Sequence, residues 1–326
     1  MNQLQASPFI SVVIPTFKRR QRLEDAIRSV QLQNYGDWEL VVSDDENPPG
    51  ETWRWLQEIA PTDQRIFPTQ NPGFQGQAAN TNHGMGQARG TWIKLLHDDD
   101  RLVSNCLAQL AYVAQAVNEH VVLITTGVCN PGNQQQEDVV TLLPSDVKQY
   151  RGNEAIFGMY LQHDVGGSVP SAMMLRAREF HSGVRFENEK VIPTAVDSWF
   201  KVLLLTRGDL VHIDRQLIIK PEDDSQSVTN TVEQSALDRE FELIRQLMQP
   251  LVDPALGPPP LKVVQGQVRI IRAMHRLTRR HPLQALTMAL SVWHPRAWWL
   301  ALLWGIRRLR PAWCNYVKAV NGSPIR

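Results

Sequence analysis

Three consecutive carboxylates, Asp98, Asp99 and Asp100, form the densest group of ionisable side chains in the sequence. His97 joins them to the largely apolar residues 91–96, which are typical of a buried strand. Adjacent acids repel one another unless a cation or a hydrogen-bond network holds them, so the cluster predicts a hard metal ion with oxygen ligands. A solvated acidic turn is the alternative interpretation, and the order of the elements around the cluster favours the metal site.

Two other predicted strands end in residues suited to ligand binding. Residues 9–14 predict a central parallel strand, and residues 38–42 predict a second strand after an intervening amphipathic helix. The residues that end these strands are Pro15, Thr16 and Phe17 for the first and Asp44 and Asp45 for the second. A β-α-β crossover of this kind requires parallel strands, so both ends open on one edge of the sheet, where open α/β sheets bind ligands.

Further along the chain, a small-residue helix is predicted over residues 77–88, with Gly90 as its C-cap. The glycines at 84, 86 and 90 are spaced wrongly for a dinucleotide loop and lie between a helix and a strand, which argues against a nicotinamide or flavin enzyme. The Gly166-Gly167 pair fits either a simple turn or a close approach of the backbone to a ligand. Asp197 opens a predicted helix over residues 196–205, where it either satisfies the helix N-terminus or faces the same crevice as the acids.

The order and spacing of these motifs resemble the family 2 glycosyltransferases, which have the GT-A fold. The resemblance covers residues 9–227, and its motifs are residues 11–17, 38–45, 82–84, 88–90, 97–100 and 197–199. It implies an α/β fold in which a mostly parallel sheet is flanked by helices, with a C-terminal helical appendage. It also implies a metal-dependent, inverting transfer of a sugar from a nucleotide-diphosphate donor, commonly a UDP-sugar, to a glycan or lipid-linked acceptor in polysaccharide assembly.

The resemblance also assigns residues to the site. Pro15, Thr16 and Phe17 would lie at the donor nucleotide, Asp45 would accept the ring N–H of the base, and Asn82, His97 and Asp98 would complete the nucleotide-sugar site. Asp99, assisted by Asp98 or Asp100, would hold Mn²⁺ or Mg²⁺, with Asp100 as the preferred second ligand. Asp197 would be the general base that takes the proton of the attacking hydroxyl.

This sequence departs from the family pattern at three places. His97 replaces the first Asp of the usual Asp-x-Asp, and Thr81 replaces an Arg, so Lys18 or Arg19 would have to serve the diphosphate. Thr194-Ala195 stands where a Glu-Asp pair is usual. The alternative is therefore a catalytically inactive sugar-nucleotide or glycan-binding module of the same fold. A sugar-1-phosphate nucleotidyltransferase is disfavoured, because the Gly-rich cationic loop after the first strand is absent.

The C-terminal part differs in composition from the rest of the 326-residue chain. Residues 254–326 contain twelve Lys or Arg, no Asp or Glu, and five of the ten tryptophans, whereas the remainder has 22 basic and 33 acidic residues. We predict a catalytic domain at 1–230 and a basic, Trp-rich helical tail at 231–326. Basic residues beside tryptophans favour a helix lying on an anionic membrane surface, with a helical cap or a dimer contact as alternatives, and the acidic body argues against nucleic acid.

Cellular location is predicted from what the sequence lacks. No stretch reaches the length of an apolar spanning helix, and residues 1–8 do not resemble a signal peptide. The cysteines, Cys106, Cys129 and Cys314, share no metal-ligand spacing and are expected to be free thiols. These features predict a cytoplasmic protein, peripheral on the inner face of the cell membrane.

Overall fold

The computed structural model describes residues 8–73, 75–130, 142–163, 165–167, 169–188, 191–221, 233–278 and 282–309. The strands are β1 Ile10–Thr16, β2 Trp38–Asp44, β3 Ile66–Gln70, β4 Trp92–Leu95, β5 Arg101–Leu102, β6 Val121–Cys129, β7 Val147–Tyr150, β8 Met173–Arg176 and β9 Asp209–Ile219. The helices before residue 210 are α1 Arg20–Gln31, α2 Glu51–Ile59, α3 Gln77–Gly86, α4 Cys106–Ala116, α5 Gly152–Tyr160, α6 Ala177–His181 and α7 Val196–Leu205. The later helices are α8 Gln234–Met248, α9 Leu261–Thr278, α10 Pro282–Leu290 and α11 Pro295–Leu309.

The nine strands form one sheet in the order β3-β2-β1-β4-β8-β6-β9-β5, with β7 also paired to β9. The first four strands in this order run parallel, and β8 is antiparallel to both β4 and β6. In the register, Thr16 pairs with Asp44 and Val13 pairs with Leu95. The carboxyl ends of β1, β2 and β4 therefore lie side by side at one edge of the sheet, as the sequence predicts.

Helices cover both faces of the parallel part of the sheet. Val12 and Ile14 on β1 belong to a buried cluster that includes the apolar stripes of α1 and α4. On the other face, Gly84 lets α3 approach closely, since a Cβ at this position would lie 2.8 Å from Cγ1 of Val13. Burial on both faces explains why β1 and β2 consist almost wholly of buried residues.

Two boundaries differ from the sequence-based expectation. Helix α3 ends at Gly86 with Gln87 as its C-cap, so Gly90 is not a helix cap. Gly90 is required by packing instead, because a Cβ there would lie 2.7 Å from the backbone nitrogen of Ser11. The apolar pattern also predicts separate strands over residues 210–214 and 217–219, but the structure has one continuous strand, β9, and its pairing to β6 contains shifts in register.

The buried acid Glu39 connects the amino ends of β1 and β2 to the residues that lead into β4. Glu39, on β2, accepts a hydrogen bond from the Ser11 hydroxyl at 2.6 Å and another from the backbone N–H of Arg89 at 2.7 Å. The Arg89 guanidinium pairs with the other carboxylate oxygen at 2.6 Å, and Gly90 N–H donates to the Ser11 hydroxyl at 2.8 Å. The Ala88-Arg89-Gly90 motif is thus architectural and ties β1, β2 and the approach to β4 together.

The chain divides into two compact units. The first contains the described parts of residues 1–149 and 166–225, and the second contains those of residues 150–165 and 226–324. Helix α5 therefore groups with the C-terminal helices, while the expected domain boundary at residue 230 stays a prediction. In the second unit, α10 and α11 pack on α9 around a small core that includes Ile271, Val292 and Ala297.

Some expectations concern residues outside the described ranges. Cys106 and Cys129 are buried free thiols, whereas Cys314 and Trp313 are not described. The sequence also predicts a polar loop over residues 221–227, of which only Pro221 is described. Within the described ranges, none of the helices combines the length and apolar character that crossing a bilayer requires.

Candidate functional site

The carboxyl ends of β1, β2 and β4 are joined directly by hydrogen bonds. Asp45 N–H donates to the Thr16 carbonyl at 3.0 Å, which extends the β1–β2 pairing past the last ladder residue. The Thr16 hydroxyl donates to Oδ2 of Asp98 at 2.8 Å, which links β1 to the acids after β4. The structure therefore brings together residues from the three predicted strand ends, and Thr16 is the residue common to both links.

The Asp45 carboxylate organises the loop that follows β3. Its Oδ1 accepts from the Asn71 amide at 2.7 Å, and its Oδ2 accepts from the backbone N–H of Gly76 at 2.8 Å. The Gln75 amide also donates to the Asp45 carbonyl at 3.0 Å. Each carboxylate oxygen can accept a second hydrogen bond, so these contacts orient Asp45 and leave it able to accept from a ligand.

Asn80 holds the ends of β1 and β2 at a fixed separation and was missed by the sequence analysis. Its amide nitrogen donates to the carbonyls of Thr16 at 3.1 Å and Ser43 at 2.9 Å, and its oxygen accepts from the Ser43 hydroxyl at 2.6 Å. Asn80 is 3% exposed, and no local signal in the sequence indicates its role, which depends on carbonyls and a hydroxyl that β1 and β2 supply. Its function is to set the spacing of two strand ends in the site.

The acids after β4 separate into two groups. His97, Asp99 and Asp100 each offer one ligand atom, and these atoms lie within 4.8 Å of one another. Asp98 is instead turned toward β1, where it meets the Thr16 hydroxyl and, at 3.4 Å, the Arg19 guanidinium. Burial raises the pKa of Asp98, opposed by the Thr16 hydrogen bond and the charge of Arg19. The metal-ligand group therefore contains both predicted metal ligands and His97, without Asp98.

Asp100 gives the strongest indication of a cation site. It is fully buried, and neither carboxylate oxygen accepts a hydrogen bond of ordinary geometry from the described residues. The nearest cation, Nζ of Lys220, is 3.9 Å from Oδ1. Burial raises the pKa of Asp100, opposed by His97, Lys220 and the nearby Ser171 hydroxyl. A buried carboxylate without strong donors fits a bound divalent cation, and the oxygen ligands of two carboxylates suit Mn²⁺ or Mg²⁺.

Lys94 and Ser171 hold the end of β4, where the acid cluster begins, and the sequence alone indicates neither role. Lys94 is fully buried, and its ammonium donates to the carbonyls of Leu95, at 3.0 Å, and of Ser171. The Ser171 hydroxyl in turn accepts from the backbone N–H of His97 at 2.9 Å. Burial lowers the pKa of Lys94 to about 8, although Cys106 and Asp100 oppose this. These bonds tie the end of β4 to the turn at Pro170–Ala172 and so fix the start of the acidic segment.

Cations line the other side of the site. A cavity of about 640 Å³ is lined by residues 18–22, Glu24, Glu46, Glu51 and Thr52, at the start of α1 and α2. Lys18 adopts a left-handed backbone conformation with φ of 56°, and its ammonium lies 5.1 Å from the centre of the Phe17 ring. Phe17 is 47% exposed, so part of its aromatic ring is accessible to solvent beside the cations. Pro15 is partly buried at the end of β1.

Asn82 makes structural contacts in this conformation. Its amide nitrogen donates to the Phe186 carbonyl at 2.9 Å, and its oxygen accepts from Phe186 N–H at 3.0 Å. The Phe186 ring stacks on Phe200 of α7 with ring centres 4.0 Å apart. Asp197 lies one turn earlier on α7, partly buried, and its Oδ1 accepts from Ser198 N–H at 2.7 Å. Asn82 is thus connected to the helix that carries the predicted base.

The glycine pair before β8 has a packing explanation. Gly166 has φ of +55°, and a Cβ there would lie 2.7 Å from the Thr125 hydroxyl. Lys201, buried on α7, donates to the carbonyls of Gly166 and, at 3.0 Å, of Gly167. These contacts favour the simple-turn interpretation and anchor α7 to the sheet.

An acid cluster at the carboxyl end of β4, beside the ends of β1 and β2 in a mixed sheet, is the arrangement of a nucleotide-diphospho-sugar transferase fold. The sequence profile described as "Glycosyl transferase family 2" matches residues 11–180, and the chain belongs to this family. The match contains β1, β2, β4 and the acids, which are the elements that build the site.

Curated relatives resemble about a third of the chain. A Campylobacter jejuni protein, GalNAc(5)-diNAcBac-PP-undecaprenol beta-1,3-glucosyltransferase, is 40% identical over 115 residues, which are 35% of this chain and 37% of that protein. Escherichia coli UDP-Glc:alpha-D-GlcNAc-diphosphoundecaprenol beta-1,3-glucosyltransferase WfgD is 30% identical over 98 residues, or 30% of this chain and 38% of WfgD. The chain thus spans little more than a third of the length of these two relatives.

Solved structures show the same GT-A fold over most of the chain. S. aureus TarS in complex with UDP-GlcNAc superposes with a TM-score of 0.60 at 14% identity, covering 89% of this chain and 82% of that one. The mannosyltransferase PcManGT from Pyrobaculum calidifontis, in complex with GDP-Man and Mn2+, gives a TM-score of 0.54 at 15% identity, covering 94% and 82%. At these identities the comparison establishes the fold, which agrees with the sequence-based prediction.

Proposed function

We propose that the chain is a metal-dependent, inverting glycosyltransferase that moves a sugar from a nucleotide-diphosphate donor, a UDP-sugar, to a glycan or lipid-linked acceptor. The observation that carries the proposal is Asp100, a fully buried carboxylate without a strong donor, grouped with His97 and Asp99 at the end of β4. Membership of family 2 supports sugar transfer as the reaction that this site performs.

The donor nucleotide would lie across the ends of β1 and β2. The exposed ring of Phe17, together with Pro15, provides an apolar surface for the base, and the oriented carboxylate of Asp45 can accept the ring N–H. The Thr16–Asp98 hydrogen bond joins the adjoining strand ends, and His97 would contact the ribose. Asn82 remains a predicted contact of the sugar nucleotide, and its bonds to Phe186 support an indirect role as well.

The metal would be held by Asp99 and Asp100, with His97 as a further ligand. A bound divalent cation would neutralise the negative charge that collects on the leaving nucleotide diphosphate. Arg19 and Arg22, whose guanidiniums reach Asp99, stand where they can also contact the phosphate oxygens. Arg19 thus remains a candidate for the missing family Arg, together with Lys18.

Asp197 is proposed as the general base. It would take the proton of the acceptor hydroxyl while that oxygen forms a bond to the anomeric carbon and the bond from this carbon to the diphosphate oxygen breaks. The electron pair of the broken bond leaves with the nucleotide, and the configuration of the sugar inverts. Its place in the first turn of α7, held through Lys201 and the Phe186–Phe200 stack, supports a fixed position for the carboxylate.

The names of the relatives indicate the class of acceptor. Two of them are named for transfer to sugars on undecaprenol diphosphate, and we infer an acceptor of the same lipid-linked kind for this chain. Such an acceptor resides in a membrane, so we propose that the protein acts as a peripheral protein at the inner face of the cell membrane.

Calorimetry with UDP, with and without Mn²⁺, tests the donor site. We expect binding that depends on Mn²⁺ in the wild type and is lost in Asp99→Ala, but is retained in Asp25→Ala, which alters an exposed acid on α1. Failure of UDP to bind the folded wild type under any condition would refute the UDP site. A panel of GDP, dTDP and CMP then identifies any other nucleotide.

Donor turnover separates an enzyme from a binding module. Asp197→Asn should bind UDP with Mn²⁺ as the wild type does, yet transfer sugar roughly a hundredfold or more slowly, because it cannot accept the proton. Metal-dependent binding of UDP-sugars by a wild type that turns over none of them, with any lipid-linked acceptor tested, would favour the inactive module.

A further inference from the structure

Helix α10 carries its large apolar side chains on the outside of the second unit. Leu283, Leu286 and Leu290 recur along one side of the helix, and Trp293 continues the line just beyond its end. Their exposed fractions are 78%, 56%, 64% and 90% in that order. Ala285, by contrast, is 1% exposed. The small residue faces the interior and the large ones face outward, the reverse of an ordinary surface helix.

Helix α11 repeats this reversal. Ala297 and Ala301 are buried against the core of the second unit, while Trp298, Trp299 and Leu302 are exposed. The Trp298 indole donates to the Val292 carbonyl at 2.9 Å, which fixes the ring next to the end of α10. We refer to residues Leu283, Leu286, Leu290, Trp293, Trp298 and Trp299 as the Leu–Trp face. An exposed group of this kind marks a site of interaction with a protein or a membrane.

Two arginines on α9, Arg269 and Arg272, contact α8 instead of forming a free cationic face. Arg269 forms a two-point ion pair with Glu242 of α8, at 2.6 and 2.8 Å. The Arg272 guanidinium lies 4.8 Å from the centre of the Phe241 ring, also on α8. Trp304 is likewise used internally, since its indole donates to the Gln162 carbonyl at 2.9 Å. The exposed apolar surface of this region is therefore formed by α10 and the start of α11, and not by α9 or Trp304.

The charges of this region select the partner. Arg296 is exposed at the start of α11, Arg279 and Arg280 precede α10 in the sequence, and Arg307 and Arg308 come near the end of α11. From Pro254 onward the sequence has no acid that could oppose an anionic surface. Each basic residue near an anionic bilayer contributes about 1 kcal/mol, and tryptophans favour the level of the lipid headgroups. A protein partner would need a matching acidic surface, whereas an anionic bilayer provides both apolar depth and negative charge.

We propose that the Leu–Trp face inserts into the headgroup region of an anionic phospholipid bilayer, with α10 lying parallel to the membrane. The helix has nine residues and is about 13 Å long, so it can rest in the interface but cannot cross it. The inference rests on the proposed function only in that a lipid-linked acceptor gives the enzyme a reason to be at the membrane. It assigns the contact to a particular surface.

Vesicle sedimentation of the full chain tests this surface. The probe is vesicles of phosphatidylcholine mixed with phosphatidylglycerol, compared with phosphatidylcholine alone. We expect the wild type to bind the mixed vesicles preferentially and Leu286→Glu/Leu290→Glu to bind them roughly tenfold or more weakly, because two leucines leave the apolar layer. Leu32→Glu, which places the same charge on an exposed leucine of the first unit, should bind as the wild type does.

Two further measurements keep the outcome clear. Trp293→Ala should also weaken binding to the mixed vesicles, so the test does not depend on one variant. UDP binding with Mn²⁺ should be unchanged in every variant, which separates loss of the membrane contact from failure of the donor site. Vesicle binding that is absent in the wild type or unaffected by these substitutions overturns the proposal. A wild-type dimer that Leu286→Glu/Leu290→Glu dissociates, without vesicle binding, would assign the face to a second copy of the chain.

Discussion

The guanidinium of Arg19 lies 3.3 Å from Oδ2 of Asp99, and the same NH1 group lies 3.4 Å from Oδ1 of Asp98. Arg22 approaches Oδ2 of Asp99 as well, at 3.6 Å. The carboxylate proposed to hold a metal is therefore paired with two arginines in this conformation. Both arginines also line the cavity at the start of α1. Binding of a metal and a donor would therefore change the contacts between Asp99 and these two arginines.

Removing one arginine should strengthen binding of the metal alone. A partly exposed ion pair contributes about 0.2–1 kcal/mol, so Arg22→Gln should bind Mn²⁺ about 1.4- to 5-fold more tightly in the absence of nucleotide. Calorimetric titration with Mn²⁺ measures this, with Arg20→Gln as the control because Arg20 pairs with Glu51 instead. A weaker affinity in Arg22→Gln would mean that Arg22 supports the metal site and does not compete with it.

Asn80 should be important for stability as well as for the site. Asn80→Ala leaves two buried carbonyls and the Ser43 hydroxyl without this partner, which should lower the free energy of unfolding by roughly 2–3 kcal/mol. Urea denaturation measures the loss, and Asn34→Ala, at an exposed asparagine, should change stability by under about 0.5 kcal/mol. Equal stability of the two variants would show that the hydrogen bonds of Asn80 are not needed to hold the ends of β1 and β2.

Asn82 distinguishes a contact with the nucleotide from a contact that positions α7. Through the bonds to Phe186, Asn82→Ala should reduce turnover at least several-fold while the Kd for UDP with Mn²⁺ stays within about twofold. The same variant should lose roughly 1–2 kcal/mol of stability. Gln87→Ala, at the exposed C-cap of the same helix, is the control. An unchanged turnover with a much weaker UDP affinity would instead support the direct contact that the sequence predicts.

Asp44 should make stability depend on pH. It is fully buried, its Oδ2 has no hydrogen-bond partner among the described residues, and burial raises its pKa from 3.8 to about 6. The folded state therefore holds a proton that the unfolded state releases between pH 3.8 and about 6, so this group's contribution to stability falls as the pH rises through that window. The full shift corresponds to about 3 kcal/mol.

The comparison of Asp44→Asn with the wild type isolates this effect. The variant should gain stability relative to the wild type as the pH rises from 4 to 7, by up to about 3 kcal/mol in urea denaturation. Asp25→Asn, at an exposed acid, should show a constant difference from the wild type over the same range. A constant difference for Asp44→Asn would show that the carboxylate is already stabilised as an anion in the folded protein.

The sequence predicts the parts of the fold that depend on local pattern. Apolar runs gave the strands, and their connections placed Thr16, Asp45 and the acids at one edge, because the carboxyl ends of parallel strands must meet there. It could not predict contacts between residues distant in sequence. Asn80, Lys94 and Ser171 have no local signature of their function, since each is defined by the carbonyls and amides that surround it in the folded chain.

The sequence also could not predict which face of an amphipathic helix is buried. The arginines of α9 recur with a period that fits an exposed cationic face, yet Arg269 and Arg272 contact α8 because Glu242 and Phe241 lie there. In α10 the same kind of periodicity is present, but which face is buried depends on the helix packed against it. Periodicity identifies two faces, and only the tertiary structure shows which one is covered.

Glu39 and its partners lie at the opposite end of the strands from the acids, so the linkage that holds the strands is separate from the proposed metal site. The Arg89–Glu39–Ser11 linkage holds β1, β2 and the approach to β4 together whether or not a donor ever binds. A descendant that lost catalysis would still need it in order to fold, whereas Asp99 and Asp100 would be free to drift. We therefore expect the Ala-Arg-Gly linkage to be kept wherever this fold is kept, whether or not the proposed metal ligands remain.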